Sequence, residues 1–294
     1  MVSHNIATAP VSWGVWFPDD KQQIPWEKCL DEMEKAGYEG LELGPWGYLP
    51  YESNQLRKEL DKRNMTLVAT TLMDDLTSIE NTARMINQLN NMASLQTSFK
   101  DAKYVVLIDA CYTDLFTGER IRKKELNLEE KEIFFQNIER IQRYAKEMFG
   151  LEVVYHPHAQ THVETEEEID ELLKRTNINL CFDTGHHAYM GGDVIKFIET
   201  NQDRIKYIHL KNCDPVVLEQ TKKHGWSLAR AVKEGVMTEP SSGMVDMPKL
   251  LDALNEADFT GWIVVEQDMY PAPFDKPYPI AKRTREYLKE IGIG

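Results

Sequence analysis

Short segments of strand character recur eight times along the chain, and a segment with helical spacing of apolar residues follows nearly every one. The strand-like segments are rich in β-branched and aromatic residues and begin roughly 35 residues apart. Strands that alternate with helices in this way form either a closed parallel barrel or an open doubly wound sheet. The predicted strands are Asn5–Ala9, Glu39–Leu43, Thr66–Thr70, Tyr104–Ile108, Glu152–Tyr155, Ile178–Phe182, Ile205–His209 and Trp262–Glu266.

Start and stop signals set the predicted helices. Pro25 suits the first position of a helix that Gly37 ends. Asn127 with Glu130, and Thr165 with Glu168, have the spacing of capping boxes. The helices are predicted over Trp26–Ala36, Asn54–Arg63, Ile79–Phe99, Asn127–Phe149, Glu166–Arg175, Val194–Glu199, Leu250–Asn255 and Ile280–Glu290.

The closed barrel is the predicted fold. An open sheet that binds a dinucleotide carries a G-x-G-x-x-G turn after its first strand, and this sequence has no such turn there. A length of 294 residues is long for an ordinary domain but normal for an α/β barrel. We therefore predict a single (β/α)8 TIM-barrel domain over residues 1–294, with a long loop insertion at about residues 211–246.

Charge and cysteine usage restrict the class of protein. A net charge of −14 argues against nucleic-acid binding, because such proteins present a basic face to phosphates. No apolar run approaches the roughly 18 residues of a membrane span, and Met1–Pro10 lacks the pattern of a signal peptide. The four cysteines show no CxxC spacing, which favours reduced thiols and a cytoplasmic protein without a membrane partner.

Potential metal ligands and acid–base groups follow the last four strands that were predicted. They are His156 and His158 after strand five, Asp183 and His186 after strand six, His209 and Lys211 at the end of strand seven, and Glu266 at the end of strand eight. In a barrel these strand ends meet at one rim, where carboxylates and neutral imidazoles suit Mn²⁺, Co²⁺ or Zn²⁺. The alternative is that Asp183 only caps a turn and that Glu266 lies on the surface.

Other side chains are candidates for substrate contacts. Glu42 ends the second strand and would bind a hydroxyl or orient a metal ligand, with a plain salt bridge as the alternative. Trp13, Trp16 and Trp46 follow the first two strands, where indole faces would stack on a polyol ring, or simply pack the loops. Lys211 would stabilise an enolate, unless it is an ordinary surface lysine.

Several runs near these strand ends are distinctive. They are Ala9–Trp13, Val154–His158, Phe182–His186, Met190–Asp193, Tyr207–Lys211, His224–Ser227 and Val264–Asp268. These runs resemble the xylose-isomerase-like barrel superfamily, and within it they are most similar to the inosose dehydratase family of inositol catabolism. The resemblance covers nearly the whole chain and is densest from Val154 to Asp268.

The resemblance implies one divalent metal at the C-terminal rim of the barrel. The implied ligands are His156, Asp183, His209 and Glu266. His156 stands where the superfamily commonly has a glutamate, and His158 is the alternative ligand from the same strand. His186 matches a position that contacts substrate in related isomerases. Trp226 lies in one of the runs that resemble the family and is therefore also a candidate for substrate binding. Mn²⁺ or Co²⁺ is the implied metal, with Zn²⁺ as a third candidate, and glutathione is associated with family members.

The implied activity is that of a hydro-lyase that removes water from scyllo-inosose, a small-molecule keto-polyol. His186 or His158 would move the proton next to the ketone, and Lys211 would stabilise the enolate. The main alternative is an isomerase or epimerase, because it begins with the same proton abstraction. An apurinic endonuclease is a second alternative, but it conflicts with the acidic net charge. A third alternative is a barrel that binds a polyol or a metal without catalysis. The sequence departs from the family at residues 159–162 and 238–243, so another sugar or keto-polyol substrate is also compatible with it. The sequence does not determine the oligomeric state, and a homo-oligomer is compatible with it.

Overall fold

Eight parallel strands close into a barrel in the computed structural model, which describes residues 4–294. Each strand pairs with the next barrel strand along the chain, and the eighth closes the ring against the first, with Trp262 opposite Asn5. The predicted TIM barrel is therefore confirmed. Residues 1–3, part of the segment considered above for a signal peptide, lie outside the described residues. The strands span Asn5–Thr8, Gly40–Glu42, Thr66–Asp74, Tyr104–Asp109, Glu152–Tyr155, Asn179–Asp183, Ile205–Leu210 and Trp262–Val265.

Helices surround the barrel, and both predicted capping boxes are present. The side chains of Asn127 and Thr165 accept hydrogen bonds from the backbone N–H groups of Glu130 and Glu168, whose carboxylates accept in return. Pro25 precedes its helix instead of opening it, because its ψ of 140° is extended. The surrounding helices are Trp26–Ala36, Ser53–Asp61, Ile79–Gln96, Leu128–Phe149, Glu166–Arg175, Val194–Asn201, Met247–Glu256 and Pro277–Ile291.

The inside of the barrel supports the strand ends from below. A small apolar cluster that includes Ala7, Val106, Val154 and Val264 fills it, apart from the larger core between strands and helices. Side chains two residues apart on a strand point to the same side. Cys181 and Tyr207 of this inner cluster therefore lie directly below the polar residues Asp183 and His209.

The insertion at residues 211–246 is more ordered than the expected loop. It contains the helices Pro215–His224 and Leu228–Lys233 and an antiparallel pair of short strands, Asn212–Cys213 and Met237–Thr238. The amide of Asn212 donates to the carbonyls of Pro240 and Val245, which fixes the base of the insertion. The backbone N–H of Ala229 donates to the carbonyl of Leu115 at 2.9 Å, so the second helix is attached to the loop after strand four.

Two further expectations concern the chain as a whole. The four cysteines, which are free and buried, form no disulfide. Within residues 4–294, no helix combines the length and the apolar character needed to cross a membrane.

Candidate active site

Polar side chains from five strands meet at the C-terminal end of the barrel. Glu42, His156, Asp183, His209 and Glu266 are all 6% exposed or less. Each lies at or directly beyond the end of its strand, where the parallel register brings the strand ends to one rim. The four sequence-predicted metal ligands are therefore brought together.

The distances between donor atoms suit a metal ion. His156 Nε2 lies 3.7 Å from Asp183 Oδ2, which lies 3.7 Å from His209 Nδ1. His209 Nδ1 in turn lies 3.2 Å from Glu266 Oε2. Ligands of a tetrahedral metal with bonds near 2.1 Å are about 3.4 Å apart. The observed spacings bracket that separation.

Glu42 holds the imidazole of His209 in one orientation. Its Oε2 accepts hydrogen bonds from His209 Nε2 at 2.9 Å and from the Tyr207 hydroxyl at 3.1 Å, and its Oε1 accepts from Thr71 at 2.7 Å. Because an ionised carboxylate can only accept, Nε2 of His209 carries hydrogen. Nδ1 is thereby directed at Asp183 and Glu266. This is the arrangement in which a carboxylate orients a metal-binding histidine.

Unpaired buried atoms and charge imbalance both favour a cation here. Among the described residues, His209 Nδ1 makes no hydrogen bond, and Asp183 Oδ2 has only the ion pair with Lys211, whereas buried polar atoms normally have a hydrogen-bond partner. The carboxylates of Asp183, Glu266 and Asp268 face the single ammonium of Lys211, and a fourth carboxylate, Glu42, lies against His209. A divalent cation would reduce this excess of negative charge. The donor set therefore fits a divalent metal.

Lys211 is buried in the cluster and is not a surface lysine. Its Nζ lies 3.1 Å from Asp183 Oδ2, Glu266 Oε2 and Asp268 Oδ1. Burial opposes the ammonium, but the carboxylates outweigh burial and raise the pKa of Lys211 well above its ordinary value. Gly185 makes room for the lysine stem, because a Cβ there would lie 2.5 Å from Lys211 Cγ.

His158 and His186 form a pair of imidazoles beside the cluster. Their ring centroids are 3.8 Å apart, and neither ring nitrogen of His186 has a hydrogen-bond partner among the described residues. Burial lowers the pKa of both rings, with Lys211 adding to the effect, so both are neutral near pH 7. Asp183 Oδ1 accepts from the backbone N–H of His186 at 2.7 Å, so Asp183 caps the one-turn helix Thr184–Tyr189 as well as joining the cluster.

A cavity of about 340 Å³ opens above the cluster. Its inner end is lined by Glu42, His156, His158, His186, His209, Lys211, Glu266 and Asp268. Trp46 lines its outer part, as the sequence predicted, together with Trp16. Side chains for binding and for proton transfer thus face the same enclosed space.

Trp13 and Trp226 do not line this cavity. Trp13 is 1% exposed and donates from Nε1 to Glu32 at 2.9 Å, because the 3₁₀ turn Pro10–Trp13 directs it at the first helix. Trp226 stacks on His224, with the guanidinium of Arg230 over its ring. Both indoles pack protein side chains, which corrects the expectation that they would contact substrate.

Three contributors were missing from the sequence-based candidates. Asp268 pairs with Lys211, and Tyr207 and Thr71 bind Glu42. Asp268 stands two residues after Glu266, and Tyr207 two residues before His209, so strand periodicity was the available signal. Thr71 lies in the part of strand three beyond its predicted end.

The chain has relatives along its full length. The sequence profile of the family described as xylose isomerase-like TIM barrel matches residues 30–291. The inosose dehydratase of Clostridium beijerinckii (strain ATCC 51743 / NCIMB 8052) is 31% identical over 97% of this chain and 96% of its own length. The rhizopine catabolism protein MocC of Rhizobium meliloti is 32% identical over 99% of this chain and 89% of its own.

Solved structures share the fold. The IolI protein, crystallised with a bound zinc atom, superposes with a TM-score of 0.73 at 17% identity, with 98% of each chain covered. The probable 3-DHS dehydratase AsbF of Bacillus anthracis superposes with a TM-score of 0.72 at 16% identity, covering 98% of this chain and 99% of that one. At these identities the likeness concerns the fold alone.

Proposed function

The chain belongs to the xylose isomerase-like TIM barrel family, and we propose that it is a metal-dependent dehydratase. The proposed reaction removes water from a cyclic keto-polyol, with scyllo-inosose as the proposed substrate. One observation carries the proposal: His156, His209 and Glu266, two neutral imidazoles and a buried ammonium face a single cavity. The inosose dehydratases among the relatives, at about 30% identity over the full length, support the choice of reaction and substrate.

We assign the metal to His156, Asp183, His209 and Glu266, whose donor atoms lie at the spacings given above. Mn²⁺ or Co²⁺ is the proposed ion, with Zn²⁺ as the third candidate. When bound, the metal supplies a Lewis acid that polarises the ketone. Glu42 would orient His209 as a ligand, because its hydrogen bond to Nε2 leaves Nδ1 facing Asp183 and Glu266.

The residues of the chain then carry the proton chemistry. One imidazole of the His158–His186 pair accepts the proton from the carbon next to the ketone, as a neutral ring with an unpaired nitrogen can do. The ammonium of Lys211 stabilises the negative charge that develops on oxygen. The imidazolium formed in this step then returns the proton to the departing hydroxyl on the next carbon, so both rings end neutral and a C=C bond forms. The C–H and C–O bonds break, and one water leaves.

The decisive experiment identifies the product. Purified protein is stripped with a chelator, reloaded separately with Mn²⁺, Co²⁺ or Zn²⁺, and incubated with scyllo-inosose in the presence and absence of glutathione. We expect a product lighter by one water, formed only by the metal-loaded protein. A product of unchanged mass would contradict the dehydratase and support the isomerase or epimerase.

Two variants check that the described site is responsible. His186→Gln keeps a similar volume but removes an imidazole from the cavity, so the loss of water should stop. Trp226→Phe changes an aromatic residue outside the cavity and should leave turnover intact. Equal activity in both variants would contradict the assignment of the site.

A further inference from the structure

The cavity has two chemically different ends. The inner end carries the charged and imidazole side chains described above. The outer part is bounded by an apolar wall that comes from the loops after strands one and two and from the second helix of the insertion. This outer apolar wall consists of Val15, Trp16, Phe17, Trp46, Leu228 and Val232.

The outer apolar wall is held in place by the protein itself. Gln23 Oε1 accepts hydrogen bonds from the backbone N–H groups of Trp16 and Phe17, at 2.6 and 2.8 Å. The indole of Trp16 stacks on Tyr270, with ring centroids 4.8 Å apart and planes 14° from parallel. A surface that is fixed before binding costs little ordering when a ligand meets it. The wall is therefore a preformed surface for an apolar group.

The hydroxyls of a bare ring find charged and imidazole partners at the inner end and few partners at the outer end. These hydroxyls need hydrogen-bond partners once they leave water, because an unpaired buried hydroxyl destabilises the complex. Val15, Phe17, Leu228 and Val232 offer none, so the wall itself has only the indole N–H groups of Trp16 and Trp46 as donors. Gln88 is the one amide among the side chains that line the cavity within residues 4–294. The volume of about 340 Å³ lies in the range of pockets for larger organic ligands.

We propose that the site prefers, over the bare ring of scyllo-inosose, a keto-polyol ring of the same kind that carries an apolar substituent, alkyl or aryl, linked through one of its hydroxyl oxygens. The ketone and the reacting carbons lie at the inner end beside His186 and Lys211, and the substituent packs on the outer apolar wall. This inference rests on the proposed function, because it places the reacting end of the molecule at that site.

The test compares scyllo-inosose with its mono-O-benzyl ethers on the metal-loaded protein. At least one benzyl ether should show a kcat/KM higher by about tenfold or more, since burial of one large apolar group is worth that much. If scyllo-inosose loses water as fast as every ether, the inference fails and the proposed function stands. If no compound loses water, the proposed function fails. Calorimetry with scyllo-inositol and its benzyl ethers then tests whether the outer apolar wall binds an apolar substituent. Tighter binding of an ether supports that role of the wall, and equal binding overturns it.

Two matched variants on the insertion assign the effect to the wall. Val232→Ser places a hydroxyl on the wall and should reduce the preference for the benzyl ether several-fold. Val216→Ser makes the same change at a position 66% exposed on the neighbouring helix and should leave the preference unchanged. Trp46→Ala, at a half-buried position, repeats the test should Val232→Ser fail to fold. A preference that survives both wall substitutions would overturn the inference.

Discussion

Glu42 and His209 meet across the barrel: Oε2 of the carboxylate accepts a hydrogen bond from Nε2 of the imidazole at 2.9 Å, although 167 residues separate them in the chain. Strands two and seven are not neighbours in the barrel, so only its closure brings these two side chains together. The contact fixes which nitrogen of His209 faces Asp183 and Glu266.

Removal of the Glu42 carboxylate should weaken metal binding without unfolding the barrel. We expect Glu42→Ala to lower the affinity for Zn²⁺ or Co²⁺ by about 10- to 100-fold, the usual effect of losing the partner that orients a metal-bound histidine. Glu42→Gln should cost less, because its amide oxygen can still accept from His209 while its NH₂ group turns to Thr71. Calorimetric metal titration measures both, and an unchanged affinity in Glu42→Ala would contradict the positioning role.

Asp183→Asn separates the two tasks of this residue. An asparagine oxygen can still accept the backbone N–H of His186 and cap the one-turn helix, so the melting temperature of the metal-free protein should change little. The loss of charge beside Lys211 and the proposed metal ligands should abolish the proposed metal-dependent turnover. Asp193→Asn, at the N-cap of the next helix, is the matched control and should retain activity. Turnover at the wild-type rate in Asp183→Asn would refute the assignment.

The main features of the fold and site follow from local sequence patterns. His156, Asp183, His209 and Glu266 could be identified because each follows a run of strand-forming residues, and the closed barrel brings such positions together. Asp268 stands two residues after Glu266, but it was missed because it lies beyond the end of strand eight, where a loop need not continue the alternation of the strand.

Orientation within loops could not be predicted. Trp13 and Trp16 are three residues apart in the same segment, yet Trp13 faces the first helix and Trp16 faces the cavity. The difference arises from the 3₁₀ turn and from Gly14, which adopts a positive φ of 77°. A single sequence gives no direct measure of these backbone angles, so both indoles remained equal candidates.

Gly185→Ala should displace Lys211. The backbone at Gly185 is not left-handed, so the substitution acts through contact alone: the new Cβ would lie 2.5 Å from Lys211 Cγ. Relief of this overlap should cost about 1–3 kcal/mol of stability, as overpacking in a filled core does. Turnover should fall more steeply than stability, because the ammonium moves away from the reacting oxygen. Wild-type kcat together with a wild-type melting temperature would contradict this account.

His162 should make the stability of the protein depend on pH. Its Nδ1 lies 2.6 Å from Asp109 Oδ2 and its Nε2 lies 2.8 Å from the carbonyl of Lys123, so both nitrogens face acceptors, an arrangement that favours the imidazolium. Burial works against that charge, but the hydrogen bond to Asp109 outweighs it and raises the pKa of His162 above its ordinary 6.5. Since the pKa of His162 is higher in the folded than in the unfolded protein, the stabilisation is complete below about pH 6.5 and is lost as the pH rises through the folded pKa. It amounts to about 1.4 kcal/mol for each unit of difference between the two pKa values.

In chelator-treated protein, the difference in melting temperature between wild type and His162→Gln should therefore be large near about pH 5.5 and smaller near about pH 9. This difference should depend less on pH in an Asp109→Asn background, where the carbonyl of Lys123 and the charge of Asp75 still favour the imidazolium. A difference that grows with pH would show that the Asp109–His162 pair does not act in this way.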